Sequence, residues 1–459
     1  MDCFDELVDQ LVKEIEGQEA KKRPRYKEAK RRFRNAVSVI IEDAWKAQRS
    51  IPVRRCSVHL SSNHYSHTNR YADPNLTYRT FKPAYDGLRK LGYIEETQKG
   101  YYDPFKMQGK LTQYQSSDKL KRLIGKLEAH PAIYFQPSKD DETVLLRTKS
   151  DQRKVLIDYV ETAQTNRHRR KLLKINQCLL RHWLDIELPN TEYATIAQRI
   201  NSRTDKNPID FSRRTLVRIF SNPDFKHGGR FYRGWWQNIP SEYRKYLTID
   251  TKRTEELDYS QLNPNILYAM AGKEMGSADA YDRILGDKHR KLAKQAFNAM
   301  IQSPSPLRSC PKAIDLSKVG MKWAEIRKAV LKAHQPIEQY FFKGIGNKLQ
   351  YEDSLIAERI MLHFAKHDIP VYPVHDSFIM HHGYREELKD VMEQAFKDRF
   401  KADIDISVEA VDWSYLKKEQ TSDHLDIDTI MASLSEVSEW QGRNEEWFKH
   451  RKSQRLRMT

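Results

Sequence analysis

Apolar residues recur at helical spacing at the start of the chain, where Phe4, Leu7, Leu11 and Ile15 share a face and predict a short amphipathic helix. The same period returns in PNLTYRTFKPAYDGLRKLGYIEE. There Tyr78, Phe81, Tyr85, Leu88 and Leu91 fall on one side, and Gly92 stands where a helix would be capped. Past Gly92 the pattern changes: GYIEE, a turn at Lys99-Gly100, and GKLTQYQ read as a β-hairpin. Residues 119–222 alternate helical stretches with one predicted hairpin, 143–160, and include the basic helix 166–184. Further on, an apolar-edged strand ends at Asp258, and Asn263-Pro264 opens a helix with Ile266, Leu267 and Met270 facing inward. In 369–382, alternation brackets His375-Asp376, which places that pair at the tight turn of a second hairpin. Between these stretches a helix over 287–303 carries Arg290 and Lys294 on one face, with Arg283 upstream.

Composition narrows the class. The chain has 459 residues and a net charge of +17, from 80 Lys+Arg against 63 Asp+Glu. Eight Trp, 23 Tyr and 17 Phe exclude a disordered polyelectrolyte. No apolar run is long enough to span a bilayer, so no membrane partner is expected. Four cysteines stand apart without CxxC spacing, which excludes a zinc site and fits a reducing, cytoplasmic setting. The charge points first to nucleic acid, although charge alone does not separate it from an anionic membrane surface. Nine Lys/Arg crowd into 21–34, giving residues 1–50 the look of a helical basic arm, and a second basic patch closes the chain at 443–457. Helix followed by hairpin over 51–118, with Arg79, Lys82, Arg89 and Lys90 on the polar side, resembles a winged-helix DNA-binding domain.

The two carboxylates carry the chemistry. Asp258 at a strand end and Asp376 at a turn face a cleft or a cation, because an unpartnered buried carboxylate is costly. Asp258-Tyr259-Ser260-Gln261-Leu262, Val374-His375-Asp376-Ser377-Phe378, Arg290-x3-Lys294, and Gly229-Arg230 followed by Gln237-Asn238-Ile239-Pro240 stand in a fixed order. Together they resemble the palm and fingers motifs of the family A DNA polymerases and their relatives, the single-subunit RNA polymerases. The resemblance covers roughly 225–400.

The resemblance implies an α+β, multidomain chain with a right-hand palm built on an antiparallel sheet. Its parts would be a palm at 223–459 with short fingers at 287–365, preceded by a helical thumb-like region at 119–222; the first half of the chain carries none of the motifs, and the winged-helix-like module at 51–118 rests on its own residue pattern. It implies template-directed extension of a primer 3′-hydroxyl by nucleoside triphosphates on duplex DNA, or on RNA. Two Mg²⁺ ions, with Mn²⁺ as an alternative, would be held by Asp258, Asp376 and the carbonyl of Tyr259. Lys294 and Arg290 would grip the triphosphate, with Lys294 the proton donor to pyrophosphate. Asn263 and Asn298 would lie against the incoming nucleotide, and Arg230, Gln237 and His375 against primer or template. Three departures stand out. Asn263 replaces the family's Glu that blocks the ribose 2′-hydroxyl, while Asn298 and Gln302 replace fingers aromatics. These leave sugar choice open, and with a thumb ahead of the palm no proofreading exonuclease is expected. The competing expectations are a DNA-binding initiator with a silent palm, a metal nuclease, and a primase-like or template-independent transferase.

Overall fold

The computed structural model describes residues 3–19, 24–66, 70–73, 75–103, 105, 108–127, 141–150, 153–203, 208–317, 319–408, 445–449 and 451. The chain opens with α1 (Cys3–Gln18) and α2 (Lys27–Arg49), then β1 (Cys56–Val58), α3 (Ser62–Ser66) and α4 (Tyr78–Lys90). Next come β2 (Ile94–Gln98), β3 (Tyr101–Asp103), β4 (Gln108–Lys110), β5 (Thr112–Ser116) and α5 (Asp118–Ile124). The apolar faces read from sequence meet in one core: Phe4, Leu11 and Ile15 of α1 pack with Phe33, Ile40 and Trp45 of α2 and with Phe81, Tyr85 and Leu88 of α4. A three-stranded sheet, β1-β5-β2, closes this core through Ile94 and Tyr114.

Helices α1 and α2 therefore pack into the core of this unit. Much of the basic run is spent internally. Arg25 pairs with Glu16 and Glu19, Arg34 with Asp5 and Asp9, and Arg31 and Arg32 with Glu28. Lys21, Lys22 and Arg23 lie outside the described residues. The hairpin is also longer than expected, since β3 pairs with β4 beyond the β2–β5 pairing, so that Lys99-Gly100 is not its turn. Gly100 sits inside the ribbon, where a Cβ would come within 2.7 Å of the Thr112 backbone nitrogen.

The predicted hairpin at 143–160 is present as β6 (Val144–Ser150) and β7 (Arg153–Leu156), followed by α6 (Ala163–Arg181), β8 (Leu184–Ile186) and α7 (Asn190–Asn201). Strands β9 (Val217–Phe220) and β10 (Gly228–Tyr232) come next, and β6 runs parallel to β9 in a sheet ordered β10-β9-β6-β7. The stretch expected to be a helical region thus contributes strands to two sheets. β8 is an edge of the large sheet, which continues with β11 (Leu247–Ile249), β12 (Lys252–Tyr259), β13 (Tyr372–Val374), β14 (Ser377–His381) and β15 (Ile406–Val408). Its order is β13-β14-β12-β11-β8, with β15 beside the far end of β12, and its pairings are antiparallel.

Helices α8 (Ser241–Arg244), α9 (Leu262–Met270), α10 (Asp282–Leu285), α11 (Arg290–Gln302), α12 (Trp323–Ala333), α13 (Gly346–Ala365) and α14 (Arg385–Phe400) complete the body. Trp183, Trp235, Trp236, Leu257, Phe297, Phe364, Phe378 and Met392 belong to its continuous core. Although α13 lies in the span expected as fingers, it packs against β10, α6 and α14. The basic end of the chain is anchored in part: Trp447 is buried, stacks on Trp183 at 5.4 Å between ring centroids, and lies 4.0 Å from the Arg214 guanidinium. Most of 443–457 lies outside the described residues. Among the described residues no helix is long and apolar enough to cross a membrane.

Candidate active site

Strand β12 delivers Asp258 to its end, and antiparallel pairing with β14 sets Leu257 opposite Phe378 and Asp258 opposite Ser377. Val374 pairs with Ser377, so His375-Asp376 is the entire turn of the β13–β14 hairpin. His375 has φ +62°, the left-handed geometry that two-residue hairpin turns demand. The register and the turn together bring Asp376 beside Asp258, although more than a hundred residues of chain separate them.

The electrostatics of Asp258 follow from this placement. Burial, the Asp376 charge and then the Glu256 charge push its carboxyl up to about 7, while Lys294 and the Tyr259 N–H pull the other way. Its Oδ1 is shielded from solvent and has no hydrogen-bond partner among the described residues. Glu256 is held by Arg244 (2.6 and 2.8 Å) and by the Ser377 hydroxyl, which fixes the strand register behind the carboxylates.

Helix α11 presents Arg290 and Lys294 to one aromatic ring, with the guanidinium 5.4 Å and the ammonium 5.9 Å from the centre of Tyr281. Tyr281, which sequence reasoning did not single out, is buried and feels the Asp376 charge. Arg290 also bonds to Asp279 (2.8 and 3.1 Å). Arg283 does not extend this comb; its guanidinium donates to the carbonyls of Met275, Ala278 and Asp279. Asn263 and Asn298 meet, with the Asn263 amide donating to Asn298 Oδ1 at 3.2 Å.

Arg230 reaches the same region from β10 and bonds through Nε and Nη2 to Oδ2 of Asp353 on α13, the Nε contact being 2.7 Å. Asp353 is a third carboxylate that the sequence did not reveal. Burial and the Asp376 charge raise its carboxyl to about 7 despite the guanidinium, yet Arg230 is held charged by the same contact. Two guanidinium donors on the one oxygen argue for an ion pair, and Asp353 Oδ1 beside it is buried with no hydrogen-bond partner among the described residues.

Gln237 and the Tyr259 hydroxyl also make contacts within the fold. The Gln237 side chain donates to the carbonyls of Phe231 (3.0 Å) and Pro373 (3.1 Å), tying β10 to β13. The Tyr259 hydroxyl donates to the Met392 carbonyl at 2.6 Å and pins β12 to α14. His375 is exposed, edge-on to Tyr232 at 6.1 Å. On α4, Arg79, Arg89 and Lys90 are exposed, whereas Lys82 is paired with Asp86.

Adjacent oxygen donors with an orphaned, buried carboxylate oxygen fit a hard cation such as Mg²⁺ or Mn²⁺. Among the described residues a trio of possible ligands lies elsewhere, Cys178, His182 and Asp368, with ligand atoms within 4.8 Å of one another. It fits a cation poorly, because both His182 nitrogens are engaged, Nδ1 with Asp250 (2.6 Å) and Nε2 with the Asp368 carbonyl (2.8 Å).

No protein-family model matches this chain, and no curated protein matches it. Among solved structures it is similar to the polymerase domain of Pol1 from M. smegmatis, determined in complex with DNA primer-template and dNTP. The identity is 10% and the TM-score 0.29; the match covers 88% of this chain and 65% of that one. A likeness so loose carries no functional argument.

Proposed function

We propose that the chain is a nucleotidyltransferase that extends a primer 3′-hydroxyl with nucleoside triphosphates on a DNA template. The observation that carries this reading is the convergence of Asp258, Asp376 and Lys294, drawn from three distant segments, at one end of the large sheet. Phosphoryl transfer asks a protein mainly for charge neutralisation and in-line positioning, and this set supplies both signs of charge.

Asp258, Asp376 and the carbonyl of Tyr259 would hold the divalent ions, which when bound favour ionisation of the attacking hydroxyl and neutralise phosphate charge. Lys294 Nζ binds the triphosphate and donates the proton that the leaving pyrophosphate takes up. Arg290, now on Asp279, moves to the same phosphates. Asn263 and Asn298, already hydrogen-bonded to each other, stand at the nucleotide sugar, where neither presents the acidic side chain that would repel a ribose 2′-hydroxyl. Arg230 and His375 contact the primer.

The N-terminal unit acts as a winged helix. Its α4 face, with Arg79, Arg89 and Lys90, lies against duplex phosphates, and the ribbon from β2 to β5 is the wing. Incorporation of labelled nucleotide on a primed template, by the wild type and by Asp258→Ala and Asp376→Ala variants, tests the reading. Absence of incorporation by the wild type with either ion and either sugar would overturn it.

A further inference from the structure

A second concave site lies away from the carboxylates, where the N-terminal helices meet the body. The end of α2, the segment that follows it, α7 and the loop leading to Arg213 enclose a cavity of about 540 Å³. That volume lies within the ~300–1,000 Å³ usual for small-molecule sites. Five cationic side chains line it, Lys46, Arg49, Arg54, Arg55 and Arg213, against two carboxylates, Asp43 and Asp210. Lys46 is paired with Glu42, and Arg213 with Asp210 at 3.5 Å. Arg54 and Arg55 are exposed, and neither forms an ion pair among the described residues.

The facing wall is of a different character. Tyr193 offers an aromatic surface braced by Phe211, with ring centroids 6.1 Å apart. Asn201 joins the two walls, its amide donating to Ser50 Oγ (3.2 Å) and the Ile51 carbonyl (2.6 Å) while its oxygen accepts from the Ile209 N–H (3.0 Å). The cavity is therefore held open by hydrogen bonds across the joint between the two units.

Guanidinium groups match phosphate oxygens in geometry and charge, and an aromatic face stacks a base regardless of its identity. Carboxylates accept from ribose hydroxyls and base amino groups. We propose that this cavity is a second nucleotide site, taking a phosphate-bearing nucleotide, either free or as one residue of a single strand. Arg54 and Arg55 hold the phosphate, Tyr193 lies against the base, and Asp43 or Asp210 accepts from the sugar or base. A ligand bound there touches both units and draws the N-terminal unit onto the body. The site stands independently of the polymerase reading, since none of its residues belongs to the carboxylate centre.

The test titrates the full chain with a fluorescent, ribose-labelled ATP analogue. The wild type, Lys294→Ala, and Lys294→Ala combined with Arg54→Ala and Arg55→Ala are compared. Lys294→Ala weakens the triphosphate grip of the carboxylate centre, so binding that survives reports the second site. The expected result is that Lys294→Ala still binds and that the two added arginine changes weaken binding about ten-fold or more. Both arginines are exposed, and unchanged thermal melting of the triple variant separates lost binding from lost fold. No binding by Lys294→Ala, or an affinity indifferent to the arginine changes, overturns the proposal. Competition identifies the source: displacement by a single-stranded oligonucleotide assigns a strand, and displacement by ATP alone assigns a free nucleotide. Failure of primer extension leaves this result unaffected, so the two readings fall separately.

Discussion

Arg230 and Asp353 lie 123 residues apart in sequence and meet as an ion pair next to Asp376, with Arg230 Nε 2.7 Å from Asp353 Oδ2. Asp353 is only 4% exposed, so its charge depends on Arg230 for compensation. Arg230→Ala is expected to cost about 3–5 kcal/mol, because it strands a buried carboxylate. Asp353→Asn is expected to cost less, about 1–2 kcal/mol, since the amide keeps an acceptor for the guanidinium. Urea unfolding of the two variants reads the difference; equal losses would contradict a pair in which the carboxylate bears the burial cost.

The exposed cations of α4 give a salt-dependence prediction. Changing Arg79, Arg89 and Lys90 together to Gln is expected to lower the slope of log affinity against log salt for duplex DNA by up to about 3. Lys82→Gln is expected to change the slope less, because its ammonium is already paired with Asp86. Fluorescence anisotropy across a salt series checks both. An unchanged slope in the triple variant would remove α4 from the DNA interface.

His334 sets a pH limit on the fold. It is fully buried, with Nε2 2.9 Å from the Ala280 carbonyl and Nδ1 3.2 Å from the Tyr268 hydroxyl, among the rings of Phe297 and Phe341. Burial, aided by Arg283 and opposed by the Ala280 hydrogen bond, lowers its pKa to about 4. The neutral ring is the form the fold accepts. Its contribution is therefore intact above the usual histidine pKa near ~6.5 and is lost as pH falls from there to about 4, by roughly 3 kcal/mol in all. Melting temperatures of the wild type and His334→Gln over that interval should converge towards the acid end. Parallel curves would contradict the assignment.

The carboxylate pair was legible in the sequence because both positions obey local rules. Alternation on each side of His375-Asp376 predicts a hairpin whose turn is that pair, and the observed register confirms it. Asp353 was not legible. On α13 it reads as one more polar residue, and its meaning comes from Arg230, a partner that no helical spacing connects to it. Strand β8 was missed for a similar reason: three residues inside HWLDIELP carry too short an apolar run to separate strand from helix. The basic run at 21–34 was legible only in part. Its charge is evident in sequence, but the acids of α1 that absorb part of it become neighbours only once α1 and α2 pack.

The most direct test of the central claim is single-turnover primer extension by the purified chain, with Mg²⁺ or Mn²⁺ and with dNTPs or NTPs supplied separately. The account predicts template-complementary products from the wild type. It predicts a loss of at least about 10³-fold in rate for Asp258→Asn and for Asp376→Asn, each of which removes a carboxylate charge from the ion-binding pair. Extension that persists in either variant at the wild-type rate would contradict it.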